Sequence, residues 1–494
     1  MELINPQNLQ LSHTQFMQLL PYFILMLGAM AAVLMGVTRR FQDLLVSKAI
    51  TVASGLLAMY AVFYGWGEPA GTVFNRMLAV DSFSSLFHII FLISAILVTI
   101  SSFPYLKKQE IEYPEYYGLV LFAAMGMMLM ASSLDLVVMF VALEIMSIAV
   151  YVLVGFRRTD VRSNEAALKY FILGSAASAI FLFGIALLYG ATGTMQIQDM
   201  AALVKSSTGS NPLFILGASL VLVGFLFKVA AAPFHMWMPD VYEGAPTTIT
   251  NFMTTGLKAA AFAAFVRVFA SLGYITVDVV LFKNVLWIVA VLTMVLGNVI
   301  ALTQTNIKRM LAYSSISHTG YLIVGMIAAA KAGGAYYPVI VYLVGYAMSN
   351  LGAFAILAYL SGKGDTFTDL HDIAGLGFKK PLLGFAMMIF MFSMAGVPPT
   401  AGFIGKYLML SAAVQTGEIS LTIIAVLCSA VSAYYYLRII VLMYMKDAVR
   451  EYESLSSGLI FIVVFTALMT IQVGMLPSGM IAMAQQAASI FAAN

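Results

Sequence analysis

The chain has little charge and a single cysteine. Only 10% of its 494 residues are Asp, Glu, Lys or Arg, against 62% hydrophobic ones, a balance that excludes both a soluble globular domain and a disordered chain. One cysteine, Cys428, rules out an internal disulfide framework or cysteine metal cluster, and its place in the middle of an apolar run reads as packing. No glycine-rich phosphate loop follows a strand-like run. The formal net charge of +3 is small and scattered, which argues against nucleic acid. The 5 histidines show no metal-ligand spacing, and the 33 methionines read as helix packing rather than a copper pathway.

What the chain does have is apolar length. Runs able to cross about 30 Å of hydrocarbon recur from end to end. They begin near Phe16, Leu44, Ser82, Tyr116, Leu136, Ala166, Leu213, Asn251, Leu281, Leu311, Tyr337, Leu382, Ile419 and Gly458. The expected fold is therefore an all-α polytopic membrane protein of about 14 transmembrane helices joined by short connections. Arg39, Arg40, Lys48, Lys107, Lys108, Arg157, Arg158, Arg162, Lys308, Arg309, Lys363, Lys379, Lys380, Lys446 and Arg450 fall in odd-numbered connections, whereas even-numbered ones hold only Arg76, Lys205, Lys283 and Lys331. Cytoplasmic loops carry the basic excess, so both termini are expected on the non-cytoplasmic side.

Two places break the apolar pattern. In FKVAAAPFHMW, Phe227 to Trp237, Lys228 lies within a span and Pro233 interrupts it; in VPPTAGFIGKY, Val397 to Tyr407, Pro398 and Pro399 interrupt another and Lys406 follows. Proline removes a backbone donor and clashes with the preceding turn, so the first helix is expected to break near Ala232. Such a break is tolerated in lipid only where protein or water meets the freed carbonyls. The breaks belong to a longer repeat. SIAVYVLVGF (Ser147 to Phe156) matches SHTGYLIVGM (Ser317 to Met326), and Gly174 and Ser178 match Gly345 and Ser349. The separation is five crossings, an odd number, which inverts the second copy. The expected organisation is residues 1–115 as the first three helices, 116–275 and 276–450 as inverted five-helix repeats each with a broken helix, and 451–494 as a C-terminal transmembrane helix. Glu144 aligns with Ser314 and Lys228 with Ser393, so the chemistry of the two copies differs.

Ionisable groups at membrane depth mark function by default. Glu144 has no charged neighbour near it in sequence and is expected to pair with Lys228, each holding the other charged; a purely structural ion pair is the alternative. Lys258 follows Thr254 and Thr255, whose hydroxyls fall on nearly the same helical face and are expected to help hydrate it. Lys406 would stand toward the far end of the polar path. His318 and His235 have two nitrogens able to pass a proton, although a lone membrane histidine is often only hydrogen-bonded. Lys169 is close enough to a span boundary to snorkel instead. Tyr434, Tyr435 and Tyr436 read as packing and interface residues.

ALEIMSIAVYVLVGF, KVAAAPFHMWMPDVYEGAPTTIT, QTNIKRMLAYSSISHTGYLIVG and AGVPPTAGFIGKY together resemble the antiporter-like subunits of bacterial respiratory complex I, the proton-translocating NADH:quinone oxidoreductase, across the whole chain. The DVYEGAPT element, Asp240 to Thr247, resembles the N type more than the L or M types. The resemblance implies a proton relay through hydrated half-channels, with Glu144, Lys228, Lys258, His318 and Lys406 at the family's charged positions. It places NAD, FMN, iron–sulfur clusters and quinone in partner subunits, none of these cofactors in this chain, and names subunits M, K, J and A, with lipids, as neighbours in a bacterial inner membrane. Two rival readings are a subunit of a multi-subunit sodium/proton antiporter, which shares the fold and the lysines, and a non-catalytic membrane scaffold.

Overall fold

The computed structural model describes residues 13–37, 44–67, 70–206, 211–272, 280–449 and 451–492. Arg39, Arg40 and Arg450, which entered the charge asymmetry, lie outside the described residues, as does the side chain of Lys205. The elements follow in the order α1 (His13–Val37), α2 (Leu44–Tyr64), a hairpin of β1 (Gly71–Val73) and β2 (Leu78–Val80), α3 (Ser82–Gln109), α4 (Pro114–Ser132), α5 (Leu136–Val154), α6 (Val161–Thr192), α7 (Ile197–Ser206), α8 (Pro212–Lys228), α9 (Trp237–Gly244), α10 (Thr247–Phe252), α11 (Lys258–Leu272), α12 (Val280–Thr303), α13 (Ile307–Lys331), α14 (Tyr337–Leu360), α15 (Leu376–Lys379), α16 (Pro381–Ala395), α17 (Ala401–Gln415), α18 (Ile419–Met445), α19 (Ser457–Met475) and α20 (Ser478–Ala492). The fold is all-helical and polytopic, the antiparallel hairpin pairing Gly71 with Val80 being a small addition to the expected class.

Helix starts follow sequence signals. Asp81, Asp135, Asp160, Asn211 and Asn306 accept backbone N–H groups at the N-termini of α3, α5, α6, α8 and α13. Prolines sit at the first turns of α4, α8, α14 and α16, where a missing N–H costs nothing. Among the described residues, 11 helices are long and apolar enough to cross a membrane, with α10, α11 and the turn between them forming one. The remaining three apolar runs fall short for two reasons: α13 carries Lys308, Arg309 and Lys331, and the runs beginning at Leu213 and Leu382 are each split in two, leaving apolar helices of 17 and 15 residues. The span of α10 and α11 and helix α14 are the most enclosed, whereas α6 and α18 turn broad apolar faces outward.

The splits follow from proline position. A proline clashes with the carbonyl four residues earlier. For Pro233 that residue is Val229, and α8 ends at Lys228, a turn before the expected Ala232. For Pro398 and Pro399 the residues are Met394 and Ala395, and α16 ends at Ala395. The C-terminal region also differs from a single transmembrane helix. After α19 the chain turns at Leu476 and Pro477 and runs into α20, 15 residues long and too short to span. Phe491 of α20 packs edge-on against Phe83 of α3 and Tyr336 before α14.

The central span of α10 and α11 is fixed at both ends by buried ions. At its start, Asp365 accepts from the Tyr105 hydroxyl at 2.9 and 3.0 Å and from Thr247 Oγ1 at 2.9 Å, with Lys308 Nζ at 3.4 Å and Arg157 at 3.5 Å. Lys308 also donates to the carbonyl of Ala245 at 2.6 Å and Arg157 to that of Gly244 at 3.2 Å, so the turn between α9 and α10 is held by the same cations. Near the other end, Arg267 grips both oxygens of Asp81 at 2.9 and 3.0 Å. Burial pushes the Asp365 carboxyl up, but Lys308 and Arg157 outweigh it and hold it below the usual carboxylate range. A depressed folded value means that this stability is present above the unfolded pKa of about 4 and is lost as pH falls through the folded one. Asp365→Asn is expected to cost about 3–5 kcal/mol, because buried Lys308 loses its counter-ion and Arg157 keeps only Asp160, at 3.4 Å. Thermal unfolding at neutral pH checks this; a midpoint equal to the wild type would remove Asp365 from the load on the fold.

Candidate functional site

The side chains singled out from sequence are positioned by the two breaks and by α13. Lys228, the last residue of α8, is buried and donates from Nζ to Ser147 Oγ of α5 at 2.6 Å. Its ammonium lies over the rings of Tyr170 and Tyr151, 5.7 and 5.9 Å from their centroids, within cation–π range. Ser147 passes its own proton donation back to the Leu143 carbonyl at 2.5 Å. Glu144 is half-buried and accepts from Ser178 Oγ of α6 at 2.5 Å. Glu144 and Lys228 therefore do not form the expected direct ion pair; serine hydroxyls stand on each. The physical reason is helical spacing: Ser147 is three residues after Glu144, so its hydroxyl occupies the approach that the lysine would need.

The carbonyls freed at the first break are met by neutral donors. Thr319 of α13 donates to Val229 O at 2.7 Å, and Trp237 Nε1 to Phe227 O at 3.0 Å. At the second break the donor is a cation. Lys406 Nζ donates to Met394 O at 3.1 Å and Ala395 O at 3.0 Å, the two carbonyls that Pro398 and Pro399 set free, and to Ser429 Oγ at 3.0 Å. Ser393, the sequence counterpart of Lys228, accepts the Gly402 N–H at 3.1 Å and the Ser349 hydroxyl at 2.8 Å. One lysine thus precedes its break and is free of it, whereas the other follows its break and closes it.

Lys258 opens α11 directly after a π-helical turn, Met253–Leu257. Its Nζ donates to the Ser315 carbonyl and, at 2.8 Å, to Ser315 Oγ, and lies 5.0 Å from the Tyr346 ring centroid. The hydroxyls of Thr254 and Thr255 do not hydrate it. Both donate to Asn251 O at 2.8 Å, the back-bonding that these residues favour inside helices.

Beyond Lys258 the polar groups are continuous. Ser315 Oγ accepts from the Tyr346 hydroxyl at 2.8 Å, and the Tyr346 ring packs on His318, centroids 4.9 Å apart. His318 is buried between two phenols, Nδ1 bonded to Tyr342 and Nε2 to Tyr436 at 2.9 Å; one nitrogen donates and the other accepts. Tyr436 is further bonded to Ser314. Tyr321 lies beside His318, centroids 6.0 Å apart, and under Lys406, 5.0 Å from Nζ. Among the described residues, Lys228, Lys258 and Lys406 have no carboxylate within ion-pair distance.

Two candidates stand apart. Lys169 is half-exposed and bonded to Glu165 at 2.7 Å and Asp240 at 2.9 Å, beside Arg309, which holds Asp240 at 2.6 Å and Glu243 at 3.0 Å. It belongs to a surface ion network around a cavity of about 210 Å³, away from the buried row. His235 sits half-buried in the turn after Pro233, without a bond to the other candidates. Sequence reasoning missed Ser147, Ser315, Tyr342 and Tyr346, and took Tyr436 for packing. A signal was present: Ser314 and Ser315 lie four and three residues before His318, on one stripe of the helix.

Comparison with known proteins places the chain in a family. The transmembrane family described as NADH:quinone oxidoreductase/Mrp antiporter matches residues 133–433. The NADH-quinone oxidoreductase subunit N of Trichlorobacter lovleyi is 46% identical over 436 residues, 88% of each chain. That of Myxococcus xanthus is 42% identical over 519 aligned positions, covering 97% of this chain and 99% of its own. A chain of respiratory complex I from Thermus thermophilus, solved with bound aureothin, superposes with TM-score 0.81 at 36% identity, covering 94% of this chain and 99% of that one. A chain of the Mrp complex from Dietzia sp. also reaches TM-score 0.81, over 97% and 98% of the two chains, but at 20% identity this likeness is one of fold alone.

The unequal roles of the two break lysines are open to measurement. Lys406→Met keeps the aliphatic stem but strands the Met394 carbonyl and leaves that of Ala395 with only the Ser429 hydroxyl at 3.4 Å, and is expected to destabilise by about 2 kcal/mol. Lys228→Met leaves Ser147 bonded to Leu143 and is expected to cost less. Thermal midpoints of the two purified variants compare them directly, and equal losses would sink the capping role of Lys406.

Proposed function

The chain belongs to the subunit N family of NADH-quinone oxidoreductases, and from that premise we propose that its buried row of Lys228, Lys258, His318 and Lys406, headed by Glu144, is a proton path. The chain is a membrane subunit of proton-translocating complex I. The observation that carries the assignment of the path is that Lys228, Lys258 and Lys406 are buried among neutral oxygens without a carboxylate counter-ion among the described residues. A lysine tied into an ion pair gives up its proton only by breaking the pair; one held by hydroxyls and carbonyls does not have to.

In this reading, a charge change reaching Glu144 from a neighbouring subunit acts on Lys228 electrostatically, since no hydrogen bond joins the Ser178 that holds Glu144 to the Ser147 that holds Lys228. The proton of Lys228 passes to Lys258 by bound water, because no side-chain hydrogen bond links the two. From Lys258 it continues past Ser315 and Tyr346 to His318, whose two phenol partners allow one nitrogen to accept as the other donates. Lys406 receives it beside Tyr321 and releases it on the far side. Lys169 and His235 stand outside this sequence of steps, Lys169 serving the surface network at the ion-lined cavity.

The finer architecture that supports the path is two inverted five-helix repeats, 116–275 and 276–450, within about fourteen crossings when α8 with α9, α13, and α16 with α17 each count as one. Matching close contacts support it: Gly126 of α4 meets Ala142 and Met146 of α5, and Gly297 of α12 meets Tyr313 and Ser317 of α13 at the same spacing. By that contact His318, not Ser317, stands where Ser147 stands in the first copy, so the residue that holds Lys228 and the residue that joins the two halves are counterparts. Both termini face away from the cytoplasm of a bacterial inner membrane. Subunits M, K, J and A are the neighbours, and NAD, FMN, iron–sulfur clusters and quinone are bound by partner subunits.

Lys258→Ala tests the path. With the assembly shown intact on a native gel, NADH-driven pumping in membrane vesicles is expected to fall by about tenfold or more, a positioned proton carrier being worth on the order of 10²-fold. Undiminished pumping in an intact assembly would leave the chain a scaffold.

A further inference from the structure

A cleft of about 570 Å³ between α3, α14 and the start of α19 takes no part in the proton path. Lys107 and Lys108, in the last turn of α3, stand on its rim opposite Ser454 and Ser456. Ser456 caps α19, accepting the Leu459 N–H at 3.3 Å, so the first turn of that helix and its partial positive charge face the same space. The deeper wall is small and apolar, with Ala355 and Ala358 of α14 and Leu459 of α19. Helix α19 continues from there with Ile460 and Phe461 exposed.

Depth decides what such a cleft can hold. Helix α3 has 28 residues, enough to cross the hydrocarbon, and its lysines come only in the final turn. Their ammonium groups therefore lie at the level of lipid headgroups, with apolar surface beneath them. Lys108 is bonded to Glu453 at 2.9 Å, but that carboxylate is 67% exposed; Lys107 forms no ion pair among the described residues. Two cations, serine hydroxyls and a helix N-terminus above, and an apolar channel below, match a phosphodiester carrying acyl chains. We infer that this cleft binds an anionic phospholipid, phosphate against Lys107, Lys108 and the start of α19, acyl chains along the exposed face of α19. The cleft also includes Tyr105, whose hydroxyl donates to Asp365, so the lipid would rest against the residue that fixes the start of the central span.

The test uses the intact membrane complex and photoactivatable phosphatidylglycerol and phosphatidylcholine, with labelled peptides of this chain mapped by mass spectrometry. Phosphatidylglycerol is expected to label the end of α3 and the start of α19 in preference to phosphatidylcholine. Lys107→Gln with Lys108→Gln is expected to reduce that label by about tenfold, each lysine near the surface being worth several-fold. Millimolar inorganic phosphate should not compete; if it does, the cleft is a site for free anions and the lipid assignment fails. Equal labelling by the two lipids, or none by either because a partner subunit covers the cleft, overturns the inference without recourse to the variant. Unchanged label in the double variant overturns it as well.

Discussion

Hydrocarbon supplies no water, so every backbone carbonyl left over by a broken helix and every buried cation must find its partner within the protein. That constraint explains the odd chemistry of the two breaks. Prolines free the carbonyls of Val229, Met394 and Ala395, and each is answered from another helix or from beyond the break. At the first break a threonine and an indole answer, which leaves Lys228 disengaged from the backbone. At the second, Lys406 answers, so a change in its hydrogen bonding is also a change at the end of α16.

Helix α13 is where these requirements meet. It is the most polar of the long buried helices because four of its side chains serve its neighbours: Ser314 holds Tyr436, Ser315 holds Lys258, His318 joins Tyr342 and Tyr436, and Thr319 caps the Val229 carbonyl. These residues are spaced along little more than one turn, so one helix couples the first break to the central lysine and to the histidine of the second half. The cations in its first turn also tie it to its neighbours, buried Lys308 holding the turn between α9 and α10 and half-exposed Arg309 the Asp240 network at the surface. The span carrying Lys258 is pinned at Asp365 and at Asp81, with the π-helical turn between those anchors.

Much of this was legible before any coordinates. Apolar length gave the polytopic helical class and the 11 helices long enough to cross a membrane among the described residues, proline placed both breaks to within a turn, and lone charges in apolar runs named Lys228, Lys258 and Lys406 as candidates. The first break was expected at Ala232 and came at Lys228 because the steric effect of proline acts four residues upstream. The pairing of Glu144 with Lys228 was the natural expectation for two isolated opposite charges, and it failed because Ser147 and Ser178 reach them first. Tyr436 looked like packing, since a tyrosine between apolar neighbours has no sequence mark for what its hydroxyl meets.

The sequence by itself determined that the chain lives in a membrane, where its helices break and which cations are buried, because these follow from local hydrophobicity and from proline's own geometry. Only the tertiary structure decided what those cations touch. Hydrogen bonding across helices depends on rotation about each helix axis, and a shift of one residue turns a side chain by about 100°. A seam such as Ser315 against Lys258, or His318 between two tyrosines, is therefore fixed by packing between spans distant in sequence.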